Sequence, residues 1–221
     1  MSDTAVYFGI YKGYTINIEH DDDPTNPREW DNVSVFALSA KSYILSNEAN
    51  VPFNQLDSWP EVESYINSMY NVFYIKPVYA YIHSGIVLSL EPFNDRFDSG
   101  QVGYIFITRE VMKREFGLRK RTPNNLAKAK RIIEGELETY NKYLSGDVYE
   151  YTIEKPSRKV PGSSETVYRC SNFYSLSETI DDAKSIIDGI YRNKLSEHIK
   201  YLKSVIKRRV PLIYRKPLVL P

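Results

Sequence analysis

The 221 residues carry 29 Lys and Arg against 28 Asp and Glu, a net charge of +1 that steers the whole protein toward neither nucleic acid nor membrane. Hydrophobic residues at 42% suffice for a packed core, and the single Cys170 excludes an intramolecular disulfide or a metal site built on several thiolates. No apolar run approaches the roughly 18 residues of a membrane span, and the N-terminus lacks the basic start and apolar stretch of a secretory signal, so a protein of a reducing cytoplasm is expected.

"AVYFGIYKGYTINIEH" reads as strand material that turns near Gly9 or Gly13. An acidic stretch follows, then "NVSVFALSA" with strand character. "PFNQLDSWPEVESYINSMYN" predicts a helix capped by Ser58, with Pro60 in its first turn and Val62, Tyr65, Ile66 and Met69 on one face. "VFYIKPVYAYIHSGIVLSL" is too apolar for an exposed edge and predicts a central strand, with Pro77 at an end or bulge. "QVGYIFIT" is a further strand, "REVMKREFG" a short helix stopped by Gly117, and the segment from Pro123 a long amphipathic helix stopped by Gly146. "DVYEYTIEK" and "ETVYRCSNFY" alternate as a strand pair, and the stretch from Ser175 predicts a helix with Ser177 as cap and a break near Gly189, before an extended tail around Pro211 and Pro217. Consecutive strands imply an α+β fold with a mainly antiparallel sheet flanked by helices. One core domain over residues 1–175 is expected, with 176–221 as a C-terminal helix and basic tail packed on it.

"HDDDPTNPREWDN" sets five carboxylates beside Trp30. Asp21, Asp22, Asp23, Asn26, Asp31 and Asn32 offer the hard oxygens that Mg²⁺ or Ca²⁺ prefers, although the spacing is not that of an EF-hand. The plainer reading is an acidic surface loop that needs no cofactor, shaped by Pro24, Pro27 and Trp30. His83, beside Ser84, and the turn holding Asp98, Ser99 and Gln101 offer candidates for acid–base or nucleophilic chemistry, but neither Ser sits on a strand-to-helix elbow. Phosphate-cradling glycine motifs are absent. Two basic segments, Arg119, Lys120 and Arg121 in one and Lys207, Arg208 and Arg209 in the other, could track a phosphate backbone, or meet an acidic patch such as the loop of a second copy.

Taken together, "DPTNPREWDN", "YAYIHSGIVLS", "FDSGQVGYIFIT" and "EGELETYNKYLSGDVYEYTIE" resemble, over roughly residues 15–155, a family of small proteins encoded by bacteriophages and other mobile elements. The resemblance points to Asp23, Asn26, Pro27, Arg28, Asp31, Asn32, His83, Ser84, Gly85, Asp98, Ser99, Gly100, Gln101 and Gly103. Two positions depart from the pattern: Ala40 stands where a His is the rule, and Ile82 where an Asp precedes the H-S-G. The resemblance implies a phage or mobile-element accessory protein acting in the cytoplasm of the infected host cell. It would bind and modulate a host protein or nucleoprotein complex, for example in an anti-CRISPR or other anti-defence role. Its contacts would be Asp21, Asp22, Asp23, Asn26, Arg28, Trp30, Asp31, Asn32 and Gln101, together with exposed members of the 19 Tyr. The alternatives are a metal-dependent phosphoesterase or nuclease-like hydrolase, with Asp23, Asp31, Asp98 and His83 around the ion, and a nucleic-acid-binding protein using the basic segments. No membrane partner is expected; a homo-oligomer is compatible with the sequence.

Overall fold

The computed structural model describes residues 5–95, 97–157 and 162–209. The chain is α+β, with two four-stranded antiparallel sheets among the described residues. In chain order the elements are β1 (Tyr7–Tyr11), β2 (Tyr14–His20), β3 (Val35–Leu38), α1 (Trp59–Met69), β4 (Val72–Ile82), β5 (Ile86–Ser89), β6 (Ser99–Thr108), α2 (Arg109–Phe116), α3 (Pro123–Ser145), β7 (Tyr149–Pro156), β8 (Ser164–Phe173) and α4 (Leu176–Arg209). Contacts group them into two compact units, residues 21–148 and residues 1–20 with 149–221. This partition differs from a core over 1–175 with an appended helix.

In the unit spanning 21–148 the strand order is β3-β6-β4-β5. Both faces of this sheet are covered, and the two-residue period of β6 shows how. Ile105 and Ile107 pack with Phe36, Val78, Met112 and the α3 stripe Ala129, Ile133, Leu137 and Tyr140. Tyr104 and Phe106 point the other way, to Val62 and Ile66 of α1. Sandwiching makes β4 and β6 almost continuously apolar, as their sequences require. The expected α1 face is only half used: Val62 and Ile66 are buried, whereas Met69 is 62% exposed. Pro77 lies inside β4, opposite Tyr104, with a register irregularity following at Val78/Tyr79. By the alternation of an antiparallel ladder its ring nitrogen turns to the side where β5 has already ended at Ser89, so no ladder bond is lost. The free edge of β5 is closed by Asn141 of α3, whose side chain accepts from Leu88 N and donates to Leu88 O, both at 2.8 Å. Gly117 and Gly146 end α2 and α3 in the left-handed conformation, as expected from sequence.

In the other unit the strand order is β1-β2-β7-β8, with Tyr14, Ile16, Ile18, Tyr151 and Ile153 buried against Ala183 and Ile187 of α4. Burial, reinforced by a 2.7 Å bond donated to Asp182, raises the Tyr151 phenol well above its usual range. Ser175 rather than Ser177 caps α4: its carbonyl accepts from Thr179 N at 3.0 Å and its hydroxyl from Glu178 N at 3.5 Å. The helix runs through Gly189 without a break. The tail around Pro211 and Pro217 lies outside the described residues.

Candidate functional site

The acidic stretch folds into a loop held from below. Pro27 and Arg28 are buried in a single 3-10 turn, Pro27–Glu29, while Asp22, Asp23, Glu29, Trp30 and Asp31 are exposed. Arg28 is the anchor. Its Nε and Nη2 grip Glu48 at 2.7 and 2.9 Å, Nη1 donates to Glu136 at 2.9 Å, and Nη2 also donates to Ser34 O at 2.7 Å. Its guanidinium carbon lies 3.8 Å from the centre of the Phe36 ring. Burial opposes the charge, but the bonds and attraction of Glu48, and then of Glu136, hold the guanidinium above its ordinary value. Glu136 further accepts from the Ser34 hydroxyl and from Val33 N at 2.8 Å, which ties the chain beyond the loop to α3.

The asparagines shape the loop. Asn26 Oδ1 accepts from Arg28 N at 3.0 Å, and Asn32 Nδ2 donates to Pro27 O and Trp30 O, each at 2.9 Å. Asp21 Oδ1 accepts from Asp23 N at 3.2 Å. The motif residues Asn26, Pro27, Arg28 and Asn32 are therefore scaffold, and they fix where the neighbouring carboxylates and the indole stand. Beside Trp30 is a hollow of about 200 Å³ lined by Pro27, Arg28, Trp30, Asn32, Gly135, Glu136 and Thr139. A Cβ on Gly135 would touch nothing within 4 Å, so packing inside the chain does not require a glycine in this helix.

The second group of expected residues lies elsewhere in the same unit. His83 Nδ1 is 3.0 Å from Asp98 Oδ2, so the strand pairing does bring these two together. Both are solvent-accessible, with side chains 69% and 40% exposed. Ser99 turns its hydroxyl to Asp95 O instead of to His83, and Ser84 stands on the exposed turn between β4 and β5. A Ser-His-Asp relay is therefore not assembled. The Asp95 carboxylate is held below its usual range by the backbone N–H groups of Phe97 and Asp98, with His83 adding a smaller pull.

Asp98, Ser99, Gly100 and Gln101 line a cleft of about 630 Å³ walled by Ser39, Lys41, Phe53, Leu56, Trp59 and Val62. Ala40 and Ile82, the two positions that depart from the resembled pattern, line the same cleft. None of residues 20–32 does. Asp23 and Asp31, which the hydrolase reading sets around an ion with Asp98 and His83, thus do not share this cleft with Asp98. Among the described residues no three His, Cys, Asp or Glu stand close enough to share an ion, and Asp23, Asp31 and Asp98 form no common site.

Arg119, Lys120 and Arg121 are exposed on the connection from α2 to α3, and Lys207, Arg208 and Arg209 are exposed at the end of α4. Sequence reasoning missed Glu48 and Glu136. A buried Arg needs carboxylates, but nothing local picks those two out of 28 acids. It also missed the apolar cleft wall, whose residues read simply as the approach to a helix. No described helix is long and apolar enough to cross a membrane. Comparison of the chain with protein-family models, curated proteins and solved structures finds no match.

Proposed function

We propose that the protein is a binding protein that captures a basic surface of a macromolecular partner through the loop of residues 21–31. One observation carries this: the buried Arg28 clamp anchors one loop that exposes Asp22, Asp23, Glu29 and Asp31 together with a half-exposed Trp30. Preorganisation lowers the entropy lost on association, and an exposed Trp beside a small hollow has the features of an interface hot spot. Clustered carboxylates add fast, salt-sensitive attraction to a Lys- or Arg-rich surface. The resemblance to phage proteins supports a host protein or nucleoprotein complex as the partner, reached in the cytoplasm of the infected cell.

An oligo-lysine peptide serves as the test probe. Its titration should quench Trp emission saturably at low salt, with the response abolished by high salt and by Trp30→Phe. A response carried by Trp59, or none, would count against the loop. The hydrolase alternative has the His83–Asp98 pair in its favour, but Ala40 and Ile82 stand in the adjoining cleft where the resembled pattern would place a His and an Asp.

A further inference from the structure

The geometry points to a second binding site, in the 630 Å³ cleft, that takes an extended peptide as an additional strand beside β6. β3 covers one side of β6 from Gly103 to Phe106 and ends at Leu38. Ser39 makes one last bond, its N–H to Val102 O at 2.7 Å, and the chain then leaves the sheet. β6 itself continues for Ser99, Gly100 and Gln101, paired only with β4.

Antiparallel alternation fixes where the peptide groups of these residues point. Ile82 N donates to Asp98 O at 2.8 Å, so the hydrogen-bonded pairs with β4 are Ile82 with Asp98 and Ala80 with Gly100. The N–H and C=O groups of Ser99 and the N–H of Gln101 therefore face the other way, into the lane that β3 vacates, up to the register shift at Val102. That lane is part of the cleft, since Ser99 and Gln101 line it with Phe53, Leu56, Trp59 and Val62. An open strand edge in a walled groove recognises backbone, and the apolar wall recognises alternate side chains. At about 3.3 Å per residue the free stretch of Ser99, Gly100 and Gln101 pairs with a peptide of about three residues, antiparallel to β6, carrying an apolar side chain toward Trp59.

This site is independent of the acidic loop and calls for a different ligand chemistry: an extended segment read through its backbone, with an apolar side chain toward Trp59, rather than a basic surface. The probe is a random decapeptide library displayed on a carrier and selected on the intact chain. Enriched peptides should lose binding at least tenfold when N-methylated at alternate residues and keep it when methylated at the residues between. They should also lose it on Gln101→Pro, which removes an N–H that faces the lane and not β4, and on Ser42→Trp, which fills the lane from an exposed position. The Asp21→Lys, Asp22→Lys, Asp23→Lys variant should bind them as the unmodified chain does. Failure of the library to enrich, binding indifferent to the methylation pattern, or binding unaffected by Ser42→Trp would each overturn the proposal.

Discussion

Arg28 Nη1 and Glu136 Oε2 meet at 2.9 Å across 108 positions of sequence, and this contact explains how so acidic a loop keeps one shape. Two carboxylates, Glu48 and Glu136, share a single buried cation, and α3 and the 3-10 turn are locked together through it. Replacing Arg28 with Met should therefore destabilise the protein by about 3 kcal/mol, because two partly buried acids lose their counter-charge. Urea denaturation measures this. An unchanged midpoint would mean that the clamp is dispensable.

Gly135 gives a prediction of the opposite sign. A helix-interior glycine costs up to about 1 kcal/mol relative to Ala, and the added methyl meets nothing within 4 Å. Gly135→Ala should raise the melting temperature while weakening partner capture, since the methyl projects beside the Trp30 hollow. A rise in stability with capture fully retained would remove that hollow from the interface.

At Gly103 the margin is much smaller. Its φ of +150° is a conformation L side chains rarely adopt, and a Cβ would stand 2.0 Å from Ala37 O. Gly103→Ala must push β3 away from β6 and should leave little soluble folded protein, as far-ultraviolet circular dichroism would report. A folded variant of normal stability would contradict the β3–β6 register.

Asn141 holds the last edge of its sheet. Asn141→Leu leaves the N–H and C=O of Leu88 without that partner, at a cost of about 1–3 kcal/mol, and exposes β5 as a template for another strand. Sedimentation should show new concentration-dependent association. Loss of stability with no association would show that the short strand protects itself.

The turn before β6 should respond to acid. Asp95 has a folded-state pKa below its unfolded value, because its carboxylate accepts from Phe97 N at 2.8 Å and Asp98 N at 3.2 Å. Its stabilising contribution is present above the unfolded value and fades as pH falls through the lowered one. The amide resonances of Phe97 and Asp98 should titrate with a midpoint below the ordinary value of about 3.9. A midpoint at or above that value would contradict the bonding.

Much of this fold was legible because local chemistry and tertiary demand agree. Gly117 and Gly146 end helices, the α3 stripe is the face that packs, and β4 is internal as its apolarity demands. The failures have physical causes. Met69 continues the α1 period but is the last residue of the helix and is exposed, so periodicity outruns burial. Pro77 was tolerable mid-strand for a reason visible only once β5 is seen to end at Ser89. At the loop, sequence located the carboxylates but gave Asn26, Arg28 and Asn32 a contact role that their hydrogen bonds assign to scaffolding. The hydrolase reading set His83, Asp98, Asp23 and Asp31 around one ion; the pairing of β4 with β6 does bring His83 to Asp98, but the loop aspartates do not join them, since no local pattern encodes which long-range neighbours a loop acquires.

The central claim is that the exposed carboxylates of the loop bind a basic partner and do not hold the fold together. Its most direct test is a paired measurement on the Asp22→Lys, Asp23→Lys, Asp31→Lys variant, which alters only exposed carboxylates: thermal melting, and capture of the oligo-lysine probe. The account predicts an unchanged melt and lost capture. Capture undiminished by reversal of all three charges would contradict it.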